Sequence, residues 1–216
     1  MNKKFIVSAI VVSVMLCLNL NVYADKSDNI ERIGGVDRYN TGVELSKKIY
    51  SKSKKAIIVS GEDYPDALSG GNISMTENIP LFMTQKDKLN KEVFNELKRL
   101  NVNEVVIVGG KNSVSDSVED NLKEYFSVSR VYGKDREETS LEVYRRISRN
   151  RNIETVGVSN GHEFSDSLAA IPYLNQENGI LILSNGENIS NKLEFVLDNK
   201  KVILFGGENS ISNKFK

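Results

Sequence analysis

Cysteine is almost missing from this 216-residue chain, and the single copy, Cys17, lies in an apolar stretch near the N-terminus. The remainder can therefore build neither a disulfide framework nor a thiol-based nucleophile or metal site. Histidine is just as scarce: His162 stands alone, whereas a hydrolytic zinc site draws on several histidine or cysteine ligands. An excess of either charge is lacking too, with 29 basic against 29 acidic residues. That balance argues against nucleic acid as a partner, because such binders carry a strong basic excess toward the phosphate backbone. No cofactor is called for by any of these features.

Long apolar runs are equally rare. The one from Phe5 to Leu20 follows Lys3 and Lys4 and leads into Val22-Tyr23-Ala24, the layout of a secretory signal peptide over residues 1–24. It is shorter than the ~20 residues a spanning helix needs, and the bulky Leu16 before Cys17 argues against lipidation there. Cleavage after Ala24 removes Lys3, Lys4 and Cys17, leaving a slightly acidic, cysteine-free secreted chain with no membrane partner. Residues 25–29 read as a short exposed linker.

What is present is present twice. Arg32-Ile33-Gly34-Gly35-Val36-Asp37-Arg38 returns 98 residues later as Arg130-Val131-Tyr132-Gly133-Lys134-Asp135-Arg136. Gly61-Glu62-Asp63-Tyr64-Pro65-Asp66-Ala67-Leu68, after the strand ending at Ser60, is answered by Gly161-His162-Glu163-Phe164-Ser165-Asp166-Ser167-Leu168. Val105 to Ser115 is answered by Val202 to Ser212. Features shared by two copies belong to a reused structural or binding unit, whereas catalysis usually needs one unique constellation. The copies span residues 30–128 and 129–216.

Within copy one, Ala56–Val59, Ile79–Met83 and Val105–Val108 are continuous apolar runs, the pattern of parallel strands covered on both faces. Lys88–Leu100 and Ser115–Phe126 carry apolar residues at helical spacing. Thr41-Gly42-Val43-Glu44 and Thr139-Ser140-Leu141-Glu142 fit a capping box, and the helices they would open are expected to bury Leu45 with Ile49, and Val143 with Ile147. The fold class is α/β: tandem Rossmann-like three-layer α/β/α repeats with mainly parallel sheets, each repeat large enough for its own core. Copy two stops soon after Ser212 and lacks counterparts of Val118, Leu122 and Phe126. Truncation of the second repeat is thus expected to forfeit roughly 1.5–3 kcal/mol for each missing side chain, unless a partner covers the sheet.

Arg-Ile-x-Gly-x-Asp-Arg-Tyr-x-Thr, Ser-Gly-Glu-Asp-Tyr-Pro-Asp-Ala-Leu-Ser-Gly and Val-Val-Ile-Val-Gly-Gly-x-x-Ser-Val-Ser, in that order, resemble the cell wall binding repeat 2 family of Gram-positive, especially clostridial, surface proteins. Copy two departs from the pattern, with Glu138 in place of Asn40 and with Asn160 and His162 in the second motif. The resemblance implies a surface protein held non-covalently at the wall by Rossmann-like repeats that recognise an anionic secondary cell wall polysaccharide. It also implies three repeats about a pseudo-threefold axis, so self-association is expected to supply the missing one.

Several residues are candidate ligand contacts, each with a structural alternative. Asp37 with Arg38 and Asp135 with Arg136 precede helices; an arginine fork suits phosphate oxygens, while an aspartate there also suits a helix cap. Ser60, Asp63 and Asp66, with Glu163 and Asp166 in copy two, sit at a strand's carboxyl end, where open α/β sheets bind ligands. Pro65 and Asp66 equally suit helix initiation. Gly109-Gly110-Lys111-Asn112-Ser113 invites a phosphate-loop reading, but Val105 replaces its first glycine and Glu208 its lysine, so a tight glycine turn suffices. The basic runs Lys52, Lys54, Lys55 and Arg145, Arg146, Arg149, Arg151 read as solvated ends. The expected function is a secreted, non-catalytic wall-binding unit. A peptidoglycan hydrolase of the amidase type or its accessory part, and a non-functional fragment of a larger surface protein, are the alternatives.

Overall fold

Each sequence copy closes around its own parallel sheet. A computed structural model describes residues 30–215; the signal-peptide reading and the 25–29 linker lie outside the described residues. Copy one runs α1 (Arg38–Ile49), β1 (Lys55–Ser60), α2 (Pro65–Glu77), β2 (Leu81–Thr84), α3 (Lys91–Arg99), β3 (Glu104–Val108), α4 (Asp116–Lys123) and β4 (Ser127–Val131). Copy two follows with α5 (Arg136–Ser148), β5 (Thr155–Asn160), α6 (Phe164–Gln176), β6 (Gly179–Ser184), α7 (Asn191–Leu197), β7 (Lys201–Phe205) and a 3-10 turn, Asn213–Phe215. The first sheet has the order β2-β1-β3-β4 and the second β6-β5-β7, with every pair parallel.

Successive strand side chains point to opposite faces, so the apolar runs feed two cores. Ala56, Ile58, Phe82, Val105 and Ile107 face a core shared with Val43, Val93, Leu97, Val118, Leu122 and Phe126 from the helices on that side. Ile57, Val59, Val106 and Val108 face the other way, onto a core that also holds Leu141, Val143 and Ile147 of α5 and Val156, Val158, Ile180 and Ile182 of the second sheet. One of these clusters lies wholly within copy one, while the other runs through both copies. The junction is also hydrogen-bonded. Buried Asn72 of α2 donates to the carbonyl of Leu181 (2.9 Å) and accepts from its amide (3.0 Å), matching both backbone groups on the edge of β6.

The helix starts use the aspartates, the alternative reading of Asp37 and Asp135, and not the threonine capping boxes. Asp37 and Asp135 are the N-caps, each accepting from the amide three residues on at 2.7 and 2.8 Å. Thr41 lies one turn inside, where its hydroxyl accepts from Gly35 (3.0 Å) and donates to the Asp37 carbonyl (2.9 Å); Thr139 holds Gly133 likewise. The loop thereby folds back onto the first turn so closely that a Cβ at Gly35 or Gly133 would lie 2.6 Å from the backbone carbon of Asn40 or Glu138. Leu45 and Ile49 depart further from the reading: they are 46% and 59% exposed, while Val143 and Ile147 at the same positions of α5 are 0% and 5% exposed. Helix α5 has the first sheet's back on one side and the second sheet on the other. Nothing in the described residues covers the matching side of α1.

Candidate functional site

The junction leaves a cleft of about 430 Å³ at the carboxyl ends of the first sheet's strands. Three segments line it: Asp63 to Asp66 at the start of α2, Gly110 to Ser113 after β3, and Tyr132 to Arg136 leading into α5. This is where an open parallel sheet presents its loops. The turn after β3 needs glycine, since Gly109 has φ +121° and a Cβ there would meet the Asp66 carboxylate at 2.3 Å.

Burial pushes the Asp66 carboxyl above the usual aspartate range; a hydrogen bond with Ser113 opposes the shift and the charge of Asp63 adds to it. Tyr64 crosses the junction, its hydroxyl donating to the His162 carbonyl at 2.7 Å and its ring lying 5.7 Å from that of Phe164. The Arg136 guanidinium stands 6.0 Å from the Tyr64 ring and donates to the Gly161 carbonyl at 2.5 Å. Around the open side are Tyr132, half exposed, and the lysines Lys134 and Lys111. Lys111 is held 3.0 Å from Asp116 by a surface ion pair, a weak tether that a stronger anion displaces readily.

Four of the nine candidate residues, Asp63, Asp66, Asp135 and Arg136, come together at this cleft. Asp37 and Arg38 stand at the start of copy one, where Asp37 caps α1 and Arg38 donates to the Gly61 carbonyl at 2.5 Å. The Asn40 amide holds the Asp37 carboxyl below its ordinary range. Ser60 accepts from the Glu62 amide at 3.1 Å. Glu163 and Asp166 occupy the corresponding place in copy two, with Asp166 against Gly206 and Ser210 as Asp66 lies against Gly109 and Ser113. The basic runs are engaged in part: Lys55 pairs with Glu77 and Glu104, Arg145 with Glu142, and Arg146 with Glu104.

Tyr132, Lys134 and Lys111 escaped the reading of the sequence as ligand contacts. The signal that marks them is difference between copies: Gly34, Val36 and Glu208 take their places elsewhere in the chain. A planar aromatic with two ammonium groups, beside carboxylates able to accept hydroxyl donors, suits an anionic sugar. Among the described residues no cluster of three or more histidine, cysteine, aspartate or glutamate side chains is placed to hold a metal ion.

The fold and cleft define a tandem α/β repeat protein whose polar cavity lies at the repeat junction. The chain belongs to the cell wall binding domain 2 (CWB2) family, whose model matches residues 32–119 and 130–216. It is 32% identical over 190 residues to the N-acetylmuramoyl-L-alanine amidase LytC of Bacillus subtilis (strain 168), a match covering 86% of this chain and 38% of that protein. To the amidase enhancer of the same organism it is 28% identical, over 88% of this chain and 26% of the relative. The solved structure of Cwp6 from Clostridium difficile aligns with a TM-score of 0.80 at 26% identity, over 88% of this chain and 33% of that one. For Cwp8 from the same organism the TM-score is 0.78 at 26% identity, over 99% and 36%. The chain thus spans well under half the length of each of these relatives. Family membership implies a place at the cell wall or cell surface, and no described helix is long and apolar enough to cross a membrane.

Proposed function

We propose that the chain is an exported, non-catalytic unit that attaches to the cell wall by holding an anionic wall polysaccharide in the cleft between its two repeats. The observation that carries this reading is the grouping of Tyr132, Lys134 and Lys111 at the mouth of that cleft, in a chain of the CWB2 family. The aromatic face packs on sugar rings, the ammonium groups meet phosphate or carboxylate oxygens, and Asp63 accepts from hydroxyls. The relatives support binding over chemistry: the stretch they share with this chain is common to an amidase and an amidase enhancer and makes up 38% and 26% of them. Self-association belongs to the same reading. Leu45 and Ile49 on α1, and Leu168 and Tyr173 on α6, are exposed copies of residues that the internal junction buries as Val143, Ile147, Leu68 and Ile73.

The test is retention on purified wall polysaccharide over a series of salt concentrations. Parent protein is expected to bind with an affinity that falls as salt rises, and Lys111→Glu with Lys134→Glu to weaken binding by about tenfold or more. Binding unchanged by both substitutions overturns the cleft as the site, and clearing of wall substrate in a zymogram overturns the non-catalytic reading.

A further inference from the structure

At the amino ends of the first sheet's strands, opposite the cleft, lies a hollow of about 600 Å³ lined by Lys52, Lys54, Asn78, Asn101 and Asn103 over the buried Leu100. Its walls are the loop from α1 into β1 and the turns that follow α2 and α3. The same place in copy two is closed by the chain itself. There Asn178 donates to the Asn152 carbonyl at 2.9 Å and accepts from Arg151, and the Lys200 ammonium donates to the Ile153 carbonyl at 2.7 Å. Asn78 and Asn178 hold the same left-handed turn before their strands, with φ of 51° and 52°. Asn103 stands one residue before β3, as Lys200 stands one residue before β7. Loop length makes the difference: five residues, 50–54, join Ile49 to β1, whereas seven, 148–154, join Ile147 to β5. The longer loop presents its carbonyls to Asn178 and Lys200. In copy one the side chains of Lys52, Lys54, Asn78, Asn101 and Asn103 stand exposed, with neither hydrogen bond nor ion pair among the described residues.

Copy two shows what this place in the fold takes: main-chain carbonyls, received from one carboxamide and one ammonium. We propose that the hollow in copy one binds a short, carboxylate-bearing peptide. A carboxamide offers one donor and one acceptor side by side and so matches both polar groups of a peptide unit, as Asn72 does for Leu181 within this protein. Asn78, Asn101 and Asn103 therefore suit a peptide backbone. Lys52 and Lys54 supply the charge. The acids on neighbouring elements, Glu77 and Glu104, are already held by Lys55 at 3.1 and 3.7 Å, so these two lysines are left to the ligand's carboxylates, which accept charge-assisted hydrogen bonds. Copy two carries Glu154 in the place of Lys54: each carbonyl accepts from the first amide of the adjoining strand, Lys201 at 3.0 Å and Glu104 at 3.1 Å. That carboxylate repels the same ligand, which confines the site to copy one. The peptides of the wall and acidic segments of other proteins share this chemistry. The site lies apart from the cleft and does not depend on what fills it.

The test titrates the chain from Asp25 onward, followed by amide NMR, with two probes: a synthetic pentapeptide of alanine and glutamate with a free C-terminus, and the peptides released from purified wall. Parent protein is expected to show saturable shifts at Asn78, Asn101 and Asn103 with at least one of them. Lys52→Glu with Lys54→Glu, and separately Asn78→Asp, are expected to weaken that binding by about tenfold or more, with thermal melts confirming that both variants fold. A response to the wall peptides alone supports the proposal and assigns the source to the wall; a response to the synthetic peptide alone supports it and assigns the source to a protein segment. Binding that survives both sets of substitutions, or no shift at this end of the sheet with either probe, overturns the proposal. Displacement of bound peptide by wall polysaccharide stripped of peptide overturns the peptide as the ligand class.

Discussion

Helices α1 and α5 begin with the same Asp-Arg pair, the same aspartate cap and the same threonine one turn in, yet they end in different environments. Helix α1 buries Val43 and leaves Leu45 and Ile49 in water; α5 buries Leu141, Val143 and Ile147. The caps are local, set by side chains within one turn of the backbone they satisfy. The second apolar face is not local, because it is buried only where a neighbouring repeat lies against it. One repeated sequence therefore specifies two copies of a fold but only one junction.

The largest effect expected from this contrast is in stability. Ile147→Ala is expected to cost about 2–5 kcal/mol, whereas Ile49→Ala, the same change at the same helical position, should stay within about 0.5 kcal/mol in monomeric protein. Equal shifts in chemical denaturation would break the comparison. Next comes Asn72, which satisfies both backbone groups of Leu181 across the junction. Asn72→Ala leaves a buried amide and carbonyl unmatched and is expected to cost about 1–3 kcal/mol by the same measurement. Copy two has Pro172 at that place in α6, which offers no such side-chain amide.

Smaller effects follow from titration. The raised Asp66 means that folding favours its protonated form: the contribution is fully present below the ordinary aspartate range and is lost as pH rises through the raised value. Asp66→Asn should therefore melt higher than the parent at neutral pH, and the two should converge in acid. Glu138 acts in the opposite sense. Its ion pair with Lys192, together with the Lys134 amide, draws it down to about 2, so its contribution holds above the ordinary glutamate range and disappears as pH falls through about 2. In thermal melts Glu138→Gln should flatten that acid limb; the matching residue in copy one, Asn40, has no charge to lose.

Much of the fold was legible in the sequence. Uninterrupted apolar runs marked parallel strands covered on both faces, and the order of elements followed. The cap was open between two residue types, Asp37 and Thr41, and only the fold of the loop decides that Thr41 holds the Gly35 amide. The exposure of Leu45 and Ile49 could not be read from an amphipathic pattern, which says that a face is apolar and not what meets it. At the site, repetition directed attention to Asp135 and Arg136, which build the turn. The open chemistry of the cleft lies instead at Tyr132, Lys134 and Lys111, where the copies disagree and a repeat-based reading looks away.

The most direct measurement is amide NMR of the chain titrated with purified wall polysaccharide. Binding at the junction predicts shifts concentrated at Gly110, Tyr132 and Lys134, with Val36 and Gly207, their surroundings in the unpaired halves, little changed. Shifts centred instead on Lys52, Lys54 and Asn101 at the opposite end of the sheet, or none at all, would contradict it.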